Sequence, residues 1–293
     1  MKSKHNIAIL WAISAAALYA ISTPVSKILL NKIPPTMMAS LLYLGAGIGM
    51  SVIALIRYQA GTLKKEMRLT KKELPFTIGM VTLDILAPIF LMIGLTMTTP
   101  ENASLLNNFE IVATSLIALF IFNEHISKKL WIAIGFITIS SIILSFENIY
   151  SLSFSFGSFF VLLASICWGL ENNCTRMLSV KDPLQVVIIK GFGSGFGSLL
   201  ISFIIKETST SITYIIATLL LGFVAYGLSI YFYVYAQREL GAAKTSAYYA
   251  IAPFIGVAIS FVIFLQVPTL TFIIALLIMI IGTYFASTES NNM

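Results

Sequence analysis

Ten apolar runs, each long enough to cross a hydrocarbon layer about 30 Å thick, are spaced along a chain of 293 residues with little between them. They lie at about 7–30, 36–56, 76–97, 103–122, 130–146, 157–178, 183–205, 213–236, 245–265 and 268–286. With 10% charged and 58% hydrophobic residues, the chain cannot clothe a soluble surface, where about 25% charge is usual. Lipid is therefore its solvent. Runs of this length span it as helices, which satisfy their own backbone hydrogen bonds.

The first run follows Met1-Lys2-Ser3-Lys4-His5 as a signal peptide would, but it is about 24 residues long with no small-residue cleavage site, so it reads as a membrane span. The net charge of +6 is not a nucleic-acid face, because the basic residues sit in short connectors. When the connectors are assigned alternately to two sides, fourteen of the eighteen Lys and Arg residues fall with the N-terminus and two, Lys32 and Lys206, fall opposite. Six of the fourteen crowd the connector from Arg57 to Pro75. Such a split places both termini in the cytoplasm and requires an even number of spans, in a multi-pass protein of the inner (cytoplasmic) membrane. Cys167 and Cys174 lie in one run at roughly 10 Å, too far apart for a disulfide. His5 and His125 lie in connectors and carry no assignment.

The runs repeat. At an offset of 149, Tyr19 falls on Trp168, Lys27 on Arg176 and Pro34 on Pro183. Glycine clusters follow in both copies, Gly45, Gly47 and Gly49 in one and Gly191, Gly193, Gly195 and Gly197 in the other. At an offset of 142, Ala103-Ser104 falls on Thr245-Ser246 and Glu124 on Gln266. Two units, 7–146 and 157–286, follow from this, each with five runs. An odd count forces the second unit to enter the bilayer from the opposite side. Inverted repeats of this kind place a solute site near the midplane between the halves.

Several of these features together resemble the drug/metabolite transporter superfamily, in particular its EamA-like ten-helix members. They are the aromatic-to-polar stretches ending in Lys27 and Arg176, the prolines opening runs two and seven, the small-Ser starts of runs four and nine, and the thirteen-residue spacing from Pro253 to Gln266. Two departures stand out: Ile111, preceded by Glu110, occupies a place where the family usually has proline, and Gln266 stands where the first half has Glu124. The resemblance implies a basket of ten helices around a central cavity lined by runs one, three, four, six, eight and nine. It also implies export of amino acids or related metabolites.

Four ionisable side chains lie well inside runs, where each costs about 2.5–3.5 kcal/mol at a helix centre and needs a partner or a wet cavity. Asp84 lies roughly 12 Å into the third run. Pro88 follows, and it cannot donate to the Asp84 carbonyl. Glu171 and Lys190 come to similar depth in runs six and seven. Lys190 reads as a structural partner of Asp84 or Glu171, and the acids remain in excess over the lysine. Glu110 shares a helical face with Asn107, Thr114 and Ala118 that should turn inward. Lys27, near the outer end of its run, is placed to snorkel toward Glu110 as a second structural pair. Gly222, Tyr226, Ser229, Tyr233 and Gln237 share one face of run eight. Trp168 and Asn172 lie in run six, Tyr248 and Tyr249 in run nine. The overlapping GxxxG patterns from Gly191 to Gly197 read as close helix packing.

The expectation is an all-α membrane protein of ten transmembrane helices in two inverted five-helix repeats around a central cavity. Its work is secondary transport of a small metabolite by alternating access. The candidates for solute or coupling contacts are Glu110, Asn107, Asp84, Glu171, Trp168, Asn172, Tyr226, Tyr233 and Tyr249. Its partners are the lipid bilayer, a small-molecule substrate and a proton or other coupling ion, with no nucleic acid, metal, cofactor or catalytic residue expected. The sequence carries no phosphate-binding GxxxxGK[ST] loop and neither HExxH nor GxSxG. An intramembrane lipid-modifying enzyme and a passive channel are the alternatives.

Overall fold

The computed structural model describes residues 2–61, 68–122, 126–148, 153–178, 181–240, 245 and 248–289. Lys64, Lys65, Glu124, His125, Lys244 and Ser246 lie outside the described residues, as do the side chains of Lys2, Lys4, His5, Gln237 and Arg238. Helices occur in every apolar run. The first run divides into α1 (Lys2–Ala20) and α2 (Ser22–Leu29), followed by α3 (Pro35–Gln59) and α4 (Leu74–Met97). The fourth run divides into α5 (Pro100–Leu106) and α6 (Phe109–Phe122), and α7 (Lys128–Leu144) closes the first half. The second half contains α8 (Phe156–Leu178), α9 (Pro183–Ile204), α10 (Ile212–Gly222), a π-helical segment (Phe223–Leu228) and α11 (Ser229–Leu240). It ends in α12 (Ala252–Phe264) and α13 (Leu270–Glu289).

Seven helical stretches among the described residues are long and apolar enough to cross a membrane. They are Asn6–Leu29, Pro35–Gln59, Lys71–Met97, Pro100–Ile121, Pro183–Ile204, Ile212–Ala236 and Leu270–Thr288, so the chain is a multi-pass membrane protein. The helices in the other three runs have visible peculiarities. α7 has 17 residues and α12 has 13. α8 has 23 but carries Glu171, Asn172, Asn173 and Arg176 toward its end.

The connector between α7 and α8 departs from the helical expectation. β1 (Phe146–Asn148) pairs antiparallel with β2 (Ser153–Phe154). Ser145 ends α7 by turning its Oγ onto the Ser141 carbonyl at 2.7 Å, and its own carbonyl accepts from Ser155 N at 2.8 Å. The helix thus ends at Leu144, two residues before the fifth run ends in sequence, and the strand pairing begins there.

The distribution of side chains is that of a lipid-dissolved bundle. Leu10, Phe120, Leu200 and Val262 face outward, more than 60% exposed, whereas buried serines bond the backbones of neighbouring helices. Ser40 Oγ donates to Gly195 O, Ser140 Oγ to Ala275 O and Ser229 Oγ to Ala15 O, at 2.7–2.9 Å. The principal packing partners are α4 with α8, α3 with α9, α7 with α13, and α1 with α11.

Glycine sets the closest approaches. A Cβ on Gly191 would lie 2.4 Å from Gly47 N, and one on Gly222 would lie 2.0 Å from the Leu42 carbonyl oxygen. α3 thus presses backbone to backbone against α9 on one side and α10 on the other, as the GxxxG patterns suggested. Gly191→Val is expected to lower stability by about 1–3 kcal/mol through overpacking. Gly135→Ala, with nothing within 4 Å of the new Cβ, should leave the melting temperature of the detergent-purified protein unchanged or slightly higher.

Candidate functional site

The close α3–α9 and α4–α8 contacts bring three charged side chains together deep in the bundle. Lys190 Nζ, on α9, lies 3.1 Å from Asp84 Oδ2 on α4 and 3.0 Å from Glu171 Oε1 on α8. Asp84 is 0% exposed, Glu171 2% and Lys190 6%. The Lys190–Asp84 contact is Coulombic, since Asp84 Oδ2 has no partner of hydrogen-bond geometry. Tyr43 on α3 donates its hydroxyl to the other oxygen, Asp84 Oδ1, at 2.7 Å. Thr175, one turn along α8, donates to Glu171 Oε1. Lys190 therefore joins the two acids at once rather than choosing between them. Two carboxylates around one ammonium leave a deficit of positive charge in a space closed to water, which favours binding of one further proton or cation.

Glu110 forms the adjacent part of the site. Asn172 Nδ2 donates to Glu110 Oε1 at 2.5 Å and to Thr114 Oγ1 at 3.5 Å, and Asn173 Nδ2 donates to the Thr114 carbonyl at 3.3 Å. α6 and α8 come this close because Gly169 leaves room, where a Cβ would sit 2.6 Å from that of Ala113. Glu110 and Asn172 are partly exposed, whereas Asn107 and Trp168 are buried in the core, each at 6%. Lys27 takes a different partner from the one anticipated. Instead of reaching Glu110, its ammonium donates to the carbonyls of Leu95 at 2.5 Å and Thr98 at 2.8 Å. These carbonyls belong to the C-terminal end of α4, which attracts a cation, so no acid is needed to hold Lys27.

A chain of tyrosines borders the charged centre. Tyr226 packs on Tyr43 and Tyr19 at 5.2 and 5.8 Å between ring centroids. Tyr249 in turn packs on Tyr19 at 6.0 Å and on Tyr233 at 4.9 Å. Tyr226 is 2% exposed and accepts a hydrogen bond from Ser22 Oγ at 3.4 Å. Tyr233 and Tyr249 are partly exposed. The rings place aromatic faces from the first, second, eighth and ninth runs around the centre.

The helices break in the same region. α1 gives way to α2 at Ile21, α5 to α6 at Asn107 and Asn108, and Tyr226 lies in the π-helical turn. At the second break, Asn108 N bonds Leu105 O, Glu110 N bonds Asn107 O, and Ile111 N bonds Asn108 O, all three residues back rather than four. Among the described residues, Ser26 Oγ, Ser104 Oγ, Asn107 Oδ1 and Asn108 Nδ2 are buried without a hydrogen-bond partner. Orphaned polar groups in lipid carry a free-energy penalty; these four flank the interrupted backbone, while Ser141, Ser198 and Thr283 hold further unpartnered oxygens inside continuous helices.

Tyr43, Tyr19, Thr175 and Asn108 belong to the site although none was a candidate from sequence. A signal for Tyr43 existed. It lies eight residues into α3, roughly 12 Å deep, beyond the interfacial belt where tyrosine is common. Thr175 and Asn108 gain their roles from neighbours in space and leave no such trace.

A cavity of about 590 Å³ lies away from the charged centre, at the end of the bundle where the connectors after α4, α7 and α12 meet. Of the candidate residues only Lys27 lines it.

Removing the Lys190 charge leaves two buried acids unpaired. Lys190→Met is expected to lower stability by about 3–5 kcal/mol, read as a lower melting temperature. Lys190→Met combined with Asp84→Asn should recover part of the loss, and an unchanged melting temperature in the single variant would contradict the role assigned to the lysine.

The sequence matches the EamA-like transporter family over residues 6–146 and again over 155–288. An uncharacterized transporter of Methanothermobacter thermautotrophicus is 27% identical over 267 residues, covering 86% of this chain and 77% of that protein. The uncharacterized transporter YyaM of Bacillus subtilis is 28% identical over 205 residues, covering 67% of each. One solved crystal structure overlays with a TM-score of 0.68 at 16% identity, covering 98% of this chain and 97% of its own, a likeness of fold.

Proposed function

Because the chain belongs to the EamA-like transporter family and is a membrane transporter, we propose that it is a secondary carrier moving a small metabolite with an ammonium group, an amino acid or related amine, by alternating access. The observation that carries this reading is the surplus of buried carboxylate around Lys190, Asp84, Glu171 and Glu110 beside interrupted helices. Helix interruptions at the midplane let backbone and side-chain groups contact a solute that continuous helices would hide. Glu110 is the proposed contact for a solute ammonium or a proton, since it is partly exposed and shares no ion pair with Lys190 among the described residues. Tyr226, Tyr233 and Tyr249 would supply aromatic faces for the cation. Asn107 and Asn108, which hold unpartnered polar atoms, would hydrogen-bond the solute. Asp84 and Glu171 would hold the coupling proton against Lys190.

The architecture proposed for this mechanism is ten crossings in two inverted repeats, 7–146 and 157–286, with both termini in the cytoplasm of a cell whose cytoplasmic membrane holds the protein. The packing supports it. Exchanging each run of the first half with its counterpart in the second turns the α4–α8 contact into α11–α1, α6–α8 into α12–α1, and α4–α9 into α10–α3. All six contacts are present, and α3–α9, α7–α13 and α5–α12 map onto themselves. Rocking of one half against the other would then open the centre to either face in turn. One charge moving through 100 mV supplies about 2.3 kcal/mol, enough for roughly fifty-fold accumulation.

Glu110→Gln keeps the shape of the side chain and its contact with Asn172 but removes the charge. The variant is expected to insert and melt like the wild type while solute counterflow into proteoliposomes, screened with amino acids and amines, falls by at least about tenfold. Wild-type flux in that variant would remove Glu110 from the mechanism.

A further inference from the structure

We propose that the cavity at the outer connectors is a second binding site, separate from the charged centre, and that it takes a small zwitterion of the α-amino-acid type. The cavity is bounded by Lys27, by Thr98, Thr99, Glu101 and Asn102, by Leu144, and by Gln266 to Thr269 with Phe272. Its volume of about 590 Å³ lies within the roughly 300–1,000 Å³ typical of small-molecule sites. Asp84, Lys190, Glu171 and Glu110 do not line it.

Two opposite charges face this cavity without meeting. Lys27 and Glu101 both line it, yet they form no ion pair within 4 Å. Each is instead steadied by a helix end. The Lys27 ammonium sits on the Leu95 and Thr98 carbonyls at the C-terminal end of α4, which uses two of its three donors. Glu101 lies in the first turn of α5, after the Thr99 cap and Pro100. It is 6% exposed, and its Oε2 has no hydrogen-bond partner among the described residues. A buried carboxylate oxygen without a donor is an unfavourable arrangement unless something else supplies one.

The pairing of charges selects the ligand. A lone amine would gain Glu101 but meet Lys27, and a lone carboxylate would gain the third Lys27 donor but meet Glu101. A zwitterion satisfies both at once: its ammonium supplies the missing donor to Glu101 and its carboxylate accepts from Lys27. Asn102 is committed elsewhere, donating to Thr98 Oγ1, the Leu144 carbonyl and Ser158 Oγ, which fixes the wall that carries Glu101. Met97, Phe261 and Phe272 offer an apolar surface for a side chain.

The test needs no flux, so its outcome is independent of whether transport is observed. Binding of the neutral α-amino acids, glycine to L-phenylalanine, is measured by calorimetry on the full-length protein in detergent. Phenethylamine and 3-phenylpropionate serve as probes carrying one charge each. At least one zwitterion is expected to bind saturably, with the one-charge analogues at least about tenfold weaker. Glu101→Gln, which preserves size, should weaken the zwitterion by a similar factor. Lys27→Met should do the same where it folds. Because the centre is itself proposed to take a solute ammonium at Glu110, the two sites are told apart on the Glu110→Gln background: a saturable zwitterion site that persists there and is lost when Glu101→Gln is added supports the outer cavity, and no saturable binding on that background overturns the proposal. Absence of saturable zwitterion binding to the wild type, or unchanged affinity in Glu101→Gln, overturns it as well.

Discussion

The structure turns on a single buried ammonium held between two carboxylates from two different helices. Lys190 contacts Asp84 of α4 and Glu171 of α8 at 3.1 and 3.0 Å, and so joins the first half of the chain to the second. A lysine and two acids inside lipid are tolerable only when all three arrive together, because any one alone is a desolvated charge. Their meeting brings α9 close to α4, where a Cβ on Gly193 would lie 2.9 Å from Val81 and one on Gly197 2.2 Å from Ile85, while Gly191 and Gly47 let α3 approach α9 at backbone distance. Tyr43 then reaches across from α3 to occupy the remaining Asp84 oxygen. Charge pairing, glycine packing and the helix-to-helix seam are thus one constraint seen from three sides.

Around that fixed point the structure is less settled. The first, fourth and eighth runs are interrupted where they pass the centre, and Ser104, Asn107 and Asn108 keep polar atoms without partners. A purely structural bundle would fill these places with apolar side chains, which satisfy lipid at no electrostatic penalty. In the proposed mechanism these atoms, beside Glu110 and the tyrosines, are where a solute would be met. At one end of the bundle a separate cavity is lined by Lys27, which sits on the last carbonyls of α4, and by Glu101 in the first turn of α5.

Much of this was legible in the sequence because lipid imposes simple rules. Run length and hydropathy located the helices, and their ends mostly lie within a few residues of the apolar boundaries, from Pro35–Gln59 to Leu270–Glu289. Depth arithmetic placed Asp84, Glu171 and Lys190 at a common level, and the need for compensation paired them. What sequence could not supply was azimuth. Lys27 was placed near Glu110 by depth alone, but it faces the end of α4 instead, where two carbonyls hold it. Glu101 looked like a connector residue because the apolar run begins after it. The helix starts at Pro100, and this draws the carboxylate into the bundle. Tyr43 and Asn108 owe their roles to neighbours distant in sequence, and the strand pair at Phe146 and Phe154 depends on a backbone bond between Ser145 and Ser155.

The central claim is that the polar centre, now enclosed, is reached from each side of the bilayer in turn. It is tested most directly by thiol accessibility at Asn172→Cys, beside Glu110, with Cys167 and Cys174 replaced by alanine. The account predicts that a membrane-impermeant reagent labels this position from either face of oriented vesicles, and that a transported solute shifts the balance between the two. Labelling from one face alone under every condition, with solute present or absent, would contradict it.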